Sequence, residues 1–215
     1  MFSDFIELVG AFVLVLTILQ VTSDRLYFSV RIYAIQSIFV ALSILSIGIY
    51  SGSADLYVSS FLTLVIKSFV IPLALFKTIE EMQIQREIKA YINITNSLII
   101  ISALIIISFI ITRYIDLGGA VISKKIFPIS LSIIFIGAFI MVSRKKPITQ
   151  LLGFLTLENG IMLVATSVTY GMPLIVEIGI FFDVIVGATM ASLIIHHINE
   201  TVDDIDETSV EKFEE

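Results

Sequence analysis

Long apolar runs, separated by short polar connections, dominate this sequence. An α-helix rises 1.5 Å per residue, so about 20 apolar residues are needed to cross a hydrocarbon core of ~30 Å. The strands of a membrane barrel would instead be about ten residues long, with alternating polarity. The pattern therefore predicts an all-α membrane protein of about seven transmembrane helices. The predicted spans are residues 5–21, 32–50, 56–76, 92–112, 126–143, 149–170 and 174–197.

The composition favours a lipid environment for most of the chain. Hydrophobic residues make up 57% of the sequence, above the roughly 45–50% of soluble domains, and the mean hydropathy is +1.03. The absence of cysteine excludes disulfides, thiolate zinc sites and iron–sulfur ligation by this chain. A net charge of -6 does not favour binding to the phosphate backbone of nucleic acids. We expect a lipid bilayer around the chain, no nucleic-acid partner and no cofactor.

Lysine and arginine are distributed unevenly between the two sets of connections, and they accumulate on the cytoplasmic side of membrane proteins. The connections after spans 1, 3 and 5 hold eight of them: Arg25, Arg31, Lys77, Arg86, Lys89, Arg144, Lys145 and Lys146. Those after spans 2, 4 and 6 hold three: Arg113, Lys124 and Lys125. This asymmetry predicts a multi-pass protein of the cytoplasmic membrane, with the N-terminus outside and the C-terminus inside. Residues 1–199 form the predicted membrane domain, and residues 200–215 a predicted acidic cytoplasmic tail.

Four ionisable residues interrupt the predicted spans. A charge at the centre of a membrane helix costs roughly 2.5–3.5 kcal/mol on the insertion scale. Lys67, Glu158 and Asp183 each fall near the middle of a span, and Glu177 lies six residues before Asp183, ~9 Å toward the outer face. One interpretation is a lateral row of groups that passes protons between helices or to a partner subunit. The alternative is that Lys67 and one carboxylate form a structural ion pair.

Pro72 lies five residues after Lys67 in the third predicted span. A proline there removes the hydrogen bond to the carbonyl of Ser68, which predicts a helix kink beside the lysine. A kink admits water next to a charged group. A kink without function is the alternative, since such kinks are common in membrane helices.

The sequence lacks the residue constellations of an enzyme. A serine nucleophile needs a histidine near it, and both histidines, His196 and His197, fall at the cytoplasmic edge of the last predicted span. Because they are adjacent, their side chains point about 100° apart on a helix and do not form a metal pair with i, i+4 spacing. We expect neither catalysis nor a metal site in this chain.

Five segments carry a resemblance to a known family. They are SDRL at residues 23–26, IYAIQS at 32–37, IKSFVIPL at 66–73, GFLTLENG at 153–160 and PLIVEIGIFFD at 173–183. Together they resemble the hydrogenase-4 component E (formate hydrogenlyase membrane subunit) family, over nearly the whole chain. The part from about residue 123 to residue 199 is similar to subunit K of respiratory complex I. The resemblance implies a membrane-arm subunit, with antiporter-like partners and a peripheral arm that carries out electron transfer.

The resemblance also implies roles for the intramembrane charges. Asp183 falls where subunit K has the glutamate of its last helix, and Glu158 falls about one turn from the other glutamate, on nearly the same face. Lys67 and Pro72 match component E alone, because subunit K lacks the front half of the chain. The implied function is a non-catalytic subunit of a redox-driven, ion-translocating complex, in which Lys67, Glu158, Glu177 and Asp183 contribute to a proton path.

Two other functional classes are compatible with the same residues. A scaffold could anchor the antiporter-like subunits and the peripheral arm without carrying protons, and the intramembrane charges would then be structural pairs. A self-sufficient transporter is less favoured, because the chain has neither an inverted repeat nor paired broken helices. Sodium can use the same carboxylates as protons, so the pattern leaves both coupling ions open.

Overall fold

The computed structural model describes residues 2–81, 91–115 and 125–169, and these parts of the chain are almost entirely helical. Its α-helices are α1 (Phe2–Thr22), α2 (Leu26–Ser51), α3 (Ala54–Leu62), α4 (Ile71–Glu81), α5 (Ile94–Arg113), α6 (Ile126–Ser143) and α7 (Pro147–Thr169). A π-helical segment, Thr63–Val70, joins α3 to α4. The described residues contain no β-strand.

Six helices of the described chain are long and apolar enough to cross a membrane. They are Ser3–Thr22, Leu26–Ser51, Ala54–Glu80, Ile94–Arg113, Ile126–Ser143 and Pro147–Thr166. They correspond to the first six predicted spans, and they fit a multi-pass membrane protein. The seventh predicted span, with Glu177 and Asp183, lies outside the described residues, as does the acidic tail.

Helix boundaries differ from the predicted spans at several N-terminal ends. α2 begins at Leu26 and not at residue 32, so Arg31 lies within the helix, where it is exposed. A long arginine side chain can leave a helix and reach the membrane surface, which is why a charge near a span end does not end the helix. α7 begins at Pro147, and proline is favoured at the first position of a helix because its missing N–H has no partner there anyway.

A tight turn connects α2 to α3. Gly52 has a φ of 68°, and its N–H donates to the carbonyl of Gly48 at 2.9 Å. This is the left-handed conformation that glycine adopts without steric cost after the last turn of a helix. The turn places α3 antiparallel to α2, and the hydroxyl of Ser60 donates to the carbonyl of Ala41 at 2.8 Å. The two helices therefore present buried polar groups to each other.

Helices α6 and α7 approach each other closely through glycines. A Cβ atom on Gly137 would lie 2.6 Å from the backbone nitrogen of Leu157, and one on Gly153 would lie 2.9 Å from the carbonyl oxygen of Gly137. Small residues allow membrane helices to pack backbone to backbone, where van der Waals contact is largest. This packing fixes the rotation of α7, which carries Glu158.

The outer surface of the helices is strongly apolar. Leu8, Phe61, Leu73 and Ile99 are each at least 60% exposed. Water-soluble monomers rarely expose apolar patches of this extent, whereas hydrocarbon covers them at no cost. A lipid environment accounts for this surface.

Candidate functional site

A lysine and a glutamate pair in the interior of the helices. Lys67 Nζ lies 3.0 Å from Glu158 Oε1, and the two side chains are 0% and 5% exposed. Buried charges are tolerated when they are paired, because the attraction offsets part of the cost of removing each group from water. The structure thus brings together two of the four ionisable residues that the sequence singled out. We call this contact the Lys67–Glu158 pair.

Lys67 is held by the π-helical segment. The N–H of Ile71 donates to the carbonyl of Ile66, five residues earlier, and this hydrogen bond ends the segment just before Pro72. Thr63 and Ser68 of the same segment are also buried. π-Helical turns alter the direction of the side chains that they carry and occur often at functional sites. The predicted kink at Pro72 stays a prediction, but an irregular backbone is present beside Lys67.

A network of buried amides and hydroxyls links α1, α2 and α7. Gln36 Nε2 donates to Thr17 Oγ1 at 3.3 Å and to Gln20 Oε1 at 3.1 Å. The hydroxyl of Thr156 donates to the same Gln20 oxygen at 3.1 Å. All four side chains are at most 5% exposed. Such bonds between membrane helices are worth about 0.6 kcal/mol each on average, so the network costs little to break singly.

A further buried hydrogen bond joins α7 to α2. Asn159 Nδ2 lies 3.3 Å from Ser37 Oγ, and Asn159 directly follows Glu158 in the chain. Ser37 likewise follows Gln36 on α2. We call Thr17, Gln20, Gln36, Ser37, Thr156 and Asn159 the amide network. Four amides within the predicted spans, Gln36, Asn93, Asn96 and Asn159, are expected from the sequence to bond between helices. Gln36 and Asn159 do so, whereas Asn93 and Asn96 are exposed.

The other four members of the amide network, Thr17, Gln20, Ser37 and Thr156, are not indicated by the sequence. Thr17 donates to the Val13 carbonyl of its own helix, and Thr156 shares its one hydroxyl proton between Gln20 Oε1 and the Leu152 carbonyl of its own helix. Threonines that bond to their own helix are common in membrane helices. Gln20 lies near the end of α1, where a polar residue normally meets the membrane surface. The only available signal is the spacing of Thr17 and Gln20, three residues apart and so on one helix face.

Arg144 binds the C-terminal end of α1, beyond Gln20. The Arg144 side chain is 4% exposed; its Nη2 donates to the carbonyl of Val21, and its Nη1 lies 3.9 Å from Asp24 Oδ1. The last carbonyls of a helix carry partial negative charge, so a cation there is favourable. The Asp24 side chain is 53% exposed. The polar interior between α1, α2 and α7 therefore ends at a charged surface.

A second ion pair marks the opposite end of α1. Lys125 Nζ donates to Glu7 Oε2 at 2.9 Å, and the lysine side chain is 74% exposed. The hydrogen bond and the charge of Glu7 raise the pKa of Lys125 above its ordinary value. Because of this exposure, solvent screens the pair strongly, and we expect a small contribution to stability.

The remaining candidates are distributed as follows. Glu177 and Asp183 lie outside the described residues, so the row of four charges is seen only at Lys67 and Glu158. Within residues 2–81, 91–115 and 125–169, no three His, Asp or Glu side chains group so as to hold a metal ion. What the described site can do chemically is hold one positive and one negative charge in contact, beside uncharged hydrogen-bonding groups.

Comparison with known proteins gives a match that spans almost the whole chain. No family model matches the chain, and no solved structure matches it. The chain is similar to a protein of Mycobacterium tuberculosis called "Uncharacterized protein Rv0085", with 28% identity over 207 residues. The match covers 95% of this chain and 94% of the mycobacterial protein. The two chains are therefore similar in length and along almost all of their sequence.

Proposed function

We propose that this chain is a non-catalytic membrane-arm subunit of a hydrogenase-4-like or complex-I-like assembly that couples a redox reaction to ion translocation. The observation that carries the proposal is the Lys67–Glu158 pair, which joins the third and sixth spans across the interior of the helices. The family resemblance supports it, since the segments that contain Lys67 and Glu158 are two of its carriers. In this proposal the N-terminus lies outside and the C-terminus in the cytoplasm, in the cell membrane.

The pair can exist in two electrically different arrangements. With the lysine protonated and the glutamate ionised, the attraction between them holds the contact. A proton that arrives on Glu158 neutralises the carboxylate and removes the counter-charge of the Lys67 ammonium, so the contact weakens. A proton that Glu158 takes up from one side and releases to the other is net transfer. Glu177 and Asp183 of the last predicted span would continue the path toward antiporter-like partners.

The energy for directional transfer would come from the redox reaction elsewhere in the assembly. A conformational change driven by that reaction can alter the separation of Lys67 and Glu158. The change goes only as far as the reaction stabilises one arrangement of the two residues more than the other. The π-helical segment is the natural place for this change, because its hydrogen bonds can return to the α-helical pattern with a shift of the lysine side chain. This chain supplies the titratable groups and no active site of its own.

A structural scaffold is the second candidate, and the same contact favours it. A buried ion pair that joins two spans can act as a clasp between helices without carrying protons. The double variant Lys67→Met/Glu158→Gln separates the two functions, because it removes both charges and leaves no buried charge without a partner. In vesicles that contain the assembled complex, the proton-path proposal predicts normal redox turnover with reduced proton pumping. The scaffold predicts unchanged pumping whenever the complex assembles.

A further inference from the structure

Three polar atoms of the amide network have unmet hydrogen-bonding capacity. Gln20 Nε2, Gln36 Oε1 and Asn159 Oδ1 are buried and have no hydrogen-bond partner among the described residues. An amide donor or acceptor that is buried without a partner destabilises the folded protein, and buried polar groups in folded proteins are nearly always paired with protein or with water. Three such atoms in one network point to a small polar ligand that meets them.

The members of the amide network are spread along the helices between the α1–α2 turn and the level of Glu158 on α7. Gln20 is separated from the end of α1 by two residues, beside the carbonyl that Arg144 binds, and Asp24 lies at the surface beyond it. Thr156 and Asn159 are three residues apart on α7, which is less than one turn. Two groups of bonded side chains, one around Gln20 and Gln36 and one of Ser37 and Asn159, thus lie between the α1–α2 turn and the level of Glu158.

We propose that the amide network holds a file of water molecules that carries protons between Glu158 and the membrane face at the α1–α2 turn. A buried water needs two to four polar partners, and the three unmet amide atoms supply donor and acceptor sites beside the hydroxyls of Thr17, Ser37 and Thr156. Each water accepts one proton and releases another, so the transfer needs no oxidant or reductant. The amides do not titrate; they orient the waters.

Water suits this network better than a metal cation. Sodium would require several oxygen ligands and a local negative charge. Glu158 directly precedes Asn159 in the chain, but the ammonium of Lys67 lies 3.0 Å from its carboxylate, and Asp24 lies at the surface. The amide nitrogen of Gln36 also occupies the oxygens of Thr17 and Gln20. This inference rests on the proposed function, because it takes Glu158 as a group that gains and loses protons.

Cysteine accessibility tests the file directly, and the sequence contains no native cysteine to remove. Thr156→Cys and Gln36→Cys place thiols in the file. Ser132→Cys is the matched control, because Ser132 is fully buried and its hydroxyl donates to Pro128 in its own helix. Arg25→Cys marks the face of the α1–α2 turn. Membrane vesicles containing the full assembly are treated with silver ion from each side, and the thiols that remain are labelled after denaturation.

The expected result is that silver blocks Thr156→Cys and Gln36→Cys about an order of magnitude faster than Ser132→Cys, from the side that blocks Arg25→Cys, because a thiol reacts where water can ionise it. Rates equal to that of Ser132→Cys, or reaction from the opposite side alone, would overturn the file. That result would leave the proposed function standing if the Lys67→Met/Glu158→Gln variant still loses pumping.

A second pair of variants tests whether the file carries protons. Thr156→Val removes a hydroxyl from the network, and Thr166→Val removes one that is equally buried but donates only within α7 in the described structure. Pumping per redox turnover should fall in Thr156→Val and stay normal in Thr166→Val. Equal pumping in both variants would overturn the proton role. If pumping were equal in both threonine variants but lost in the Lys67→Met/Glu158→Gln variant, the water file would be wrong and the proton path through the pair would stand.

Discussion

Lys67 Nζ and Glu158 Oε1 are 3.0 Å apart inside the described helices, although their residues belong to the third and sixth spans. The contact depends on two local features of different kinds. A π-helical segment presents the lysine, and backbone-to-backbone packing of α6 and α7 through Gly137 and Gly153 fixes the helix that carries the glutamate. Substitutions at either feature should therefore disturb the pair.

Removing one member of the pair should destabilise the protein more than removing both. Lys67→Met alone leaves the Glu158 carboxylate buried without its counter-charge, and Glu158→Gln alone leaves the Lys67 ammonium in the same position. Such changes cost about 3–5 kcal/mol. In Lys67→Met/Glu158→Gln no charge remains, so we expect a smaller loss than in either single variant. Thermal unfolding of the purified protein in detergent measures the order. Losses in the double variant that equal the sum of the single ones would contradict an energetically coupled pair.

Gln36→Leu should loosen α1 from α2. The change removes two interhelical hydrogen bonds, to Thr17 and Gln20, and at about 0.6 kcal/mol per bond the loss should be near 1 kcal/mol. Ser46→Ala on the same helix is a suitable comparison, because the Ser46 hydroxyl is exposed and donates to Leu42 within α2. The free energies of unfolding of Gln36→Leu and Ser46→Ala are compared, and the first should be lower. Equal values would contradict a network that holds α1 and α2 together.

Gly137→Ala should separate α6 from α7. A Cβ there would meet the backbone nitrogen of Leu157 at 2.6 Å, and backbone cannot move aside as a flexible side chain can. Overpacking of this kind costs about 1–3 kcal/mol. Ala103→Val on the exposed surface of α5 adds bulk without a contact and should change stability by no more than about 0.5 kcal/mol. The melting temperatures of the two variants are compared with that of the wild type. A wild-type melting temperature for Gly137→Ala would contradict the close packing of α6 and α7.

The ion pair of Lys125 and Glu7 should respond to alkaline pH. The pKa of Lys125 is raised in the folded protein by its hydrogen bond to Glu7. The folded state therefore holds the lysine proton more tightly than the unfolded state, and the resulting stability is present at neutral pH. It is lost as the pH rises above the ordinary lysine value of 10.5. The difference in melting temperature between wild type and Lys125→Gln should be small at neutral pH and vanish above that value; a difference that grows with pH would contradict the sign.

The charged residues of the site were recognisable in the sequence because a charge within an apolar run stands out. Lys67 and Glu158 are such residues, and an ion pair between Lys67 and one carboxylate was an open alternative. The choice of Glu158 could not be read from the sequence, since it depends on how distant spans pack. Nor could the π-helical segment, for which Pro72 is the only local signal. The six described spans follow from hydropathy, while helix ends such as Leu26 and Pro147 extend past the apolar runs.

The polar interior was less predictable than the charges. Gln36 and Asn159 were expected to bond between helices, but their partners come from other helices and have ordinary local patterns. The single hydroxyl proton of Thr156 is shared between the Leu152 carbonyl of its own helix and Gln20 Oε1, and the sequence indicates only the first contact. The contributions of Glu177 and Asp183 stay predictions, because both lie outside the described residues.

Proton pumping by the assembled complex in sealed vesicles, compared between wild type and Lys67→Met/Glu158→Gln at equal redox turnover, tests the central claim most directly. Assembly is checked first, by the subunit content of the purified complex. The account predicts that the double variant assembles and turns over while its pumping falls. Pumping at the wild-type ratio of protons to electrons would contradict a proton path through the Lys67–Glu158 pair.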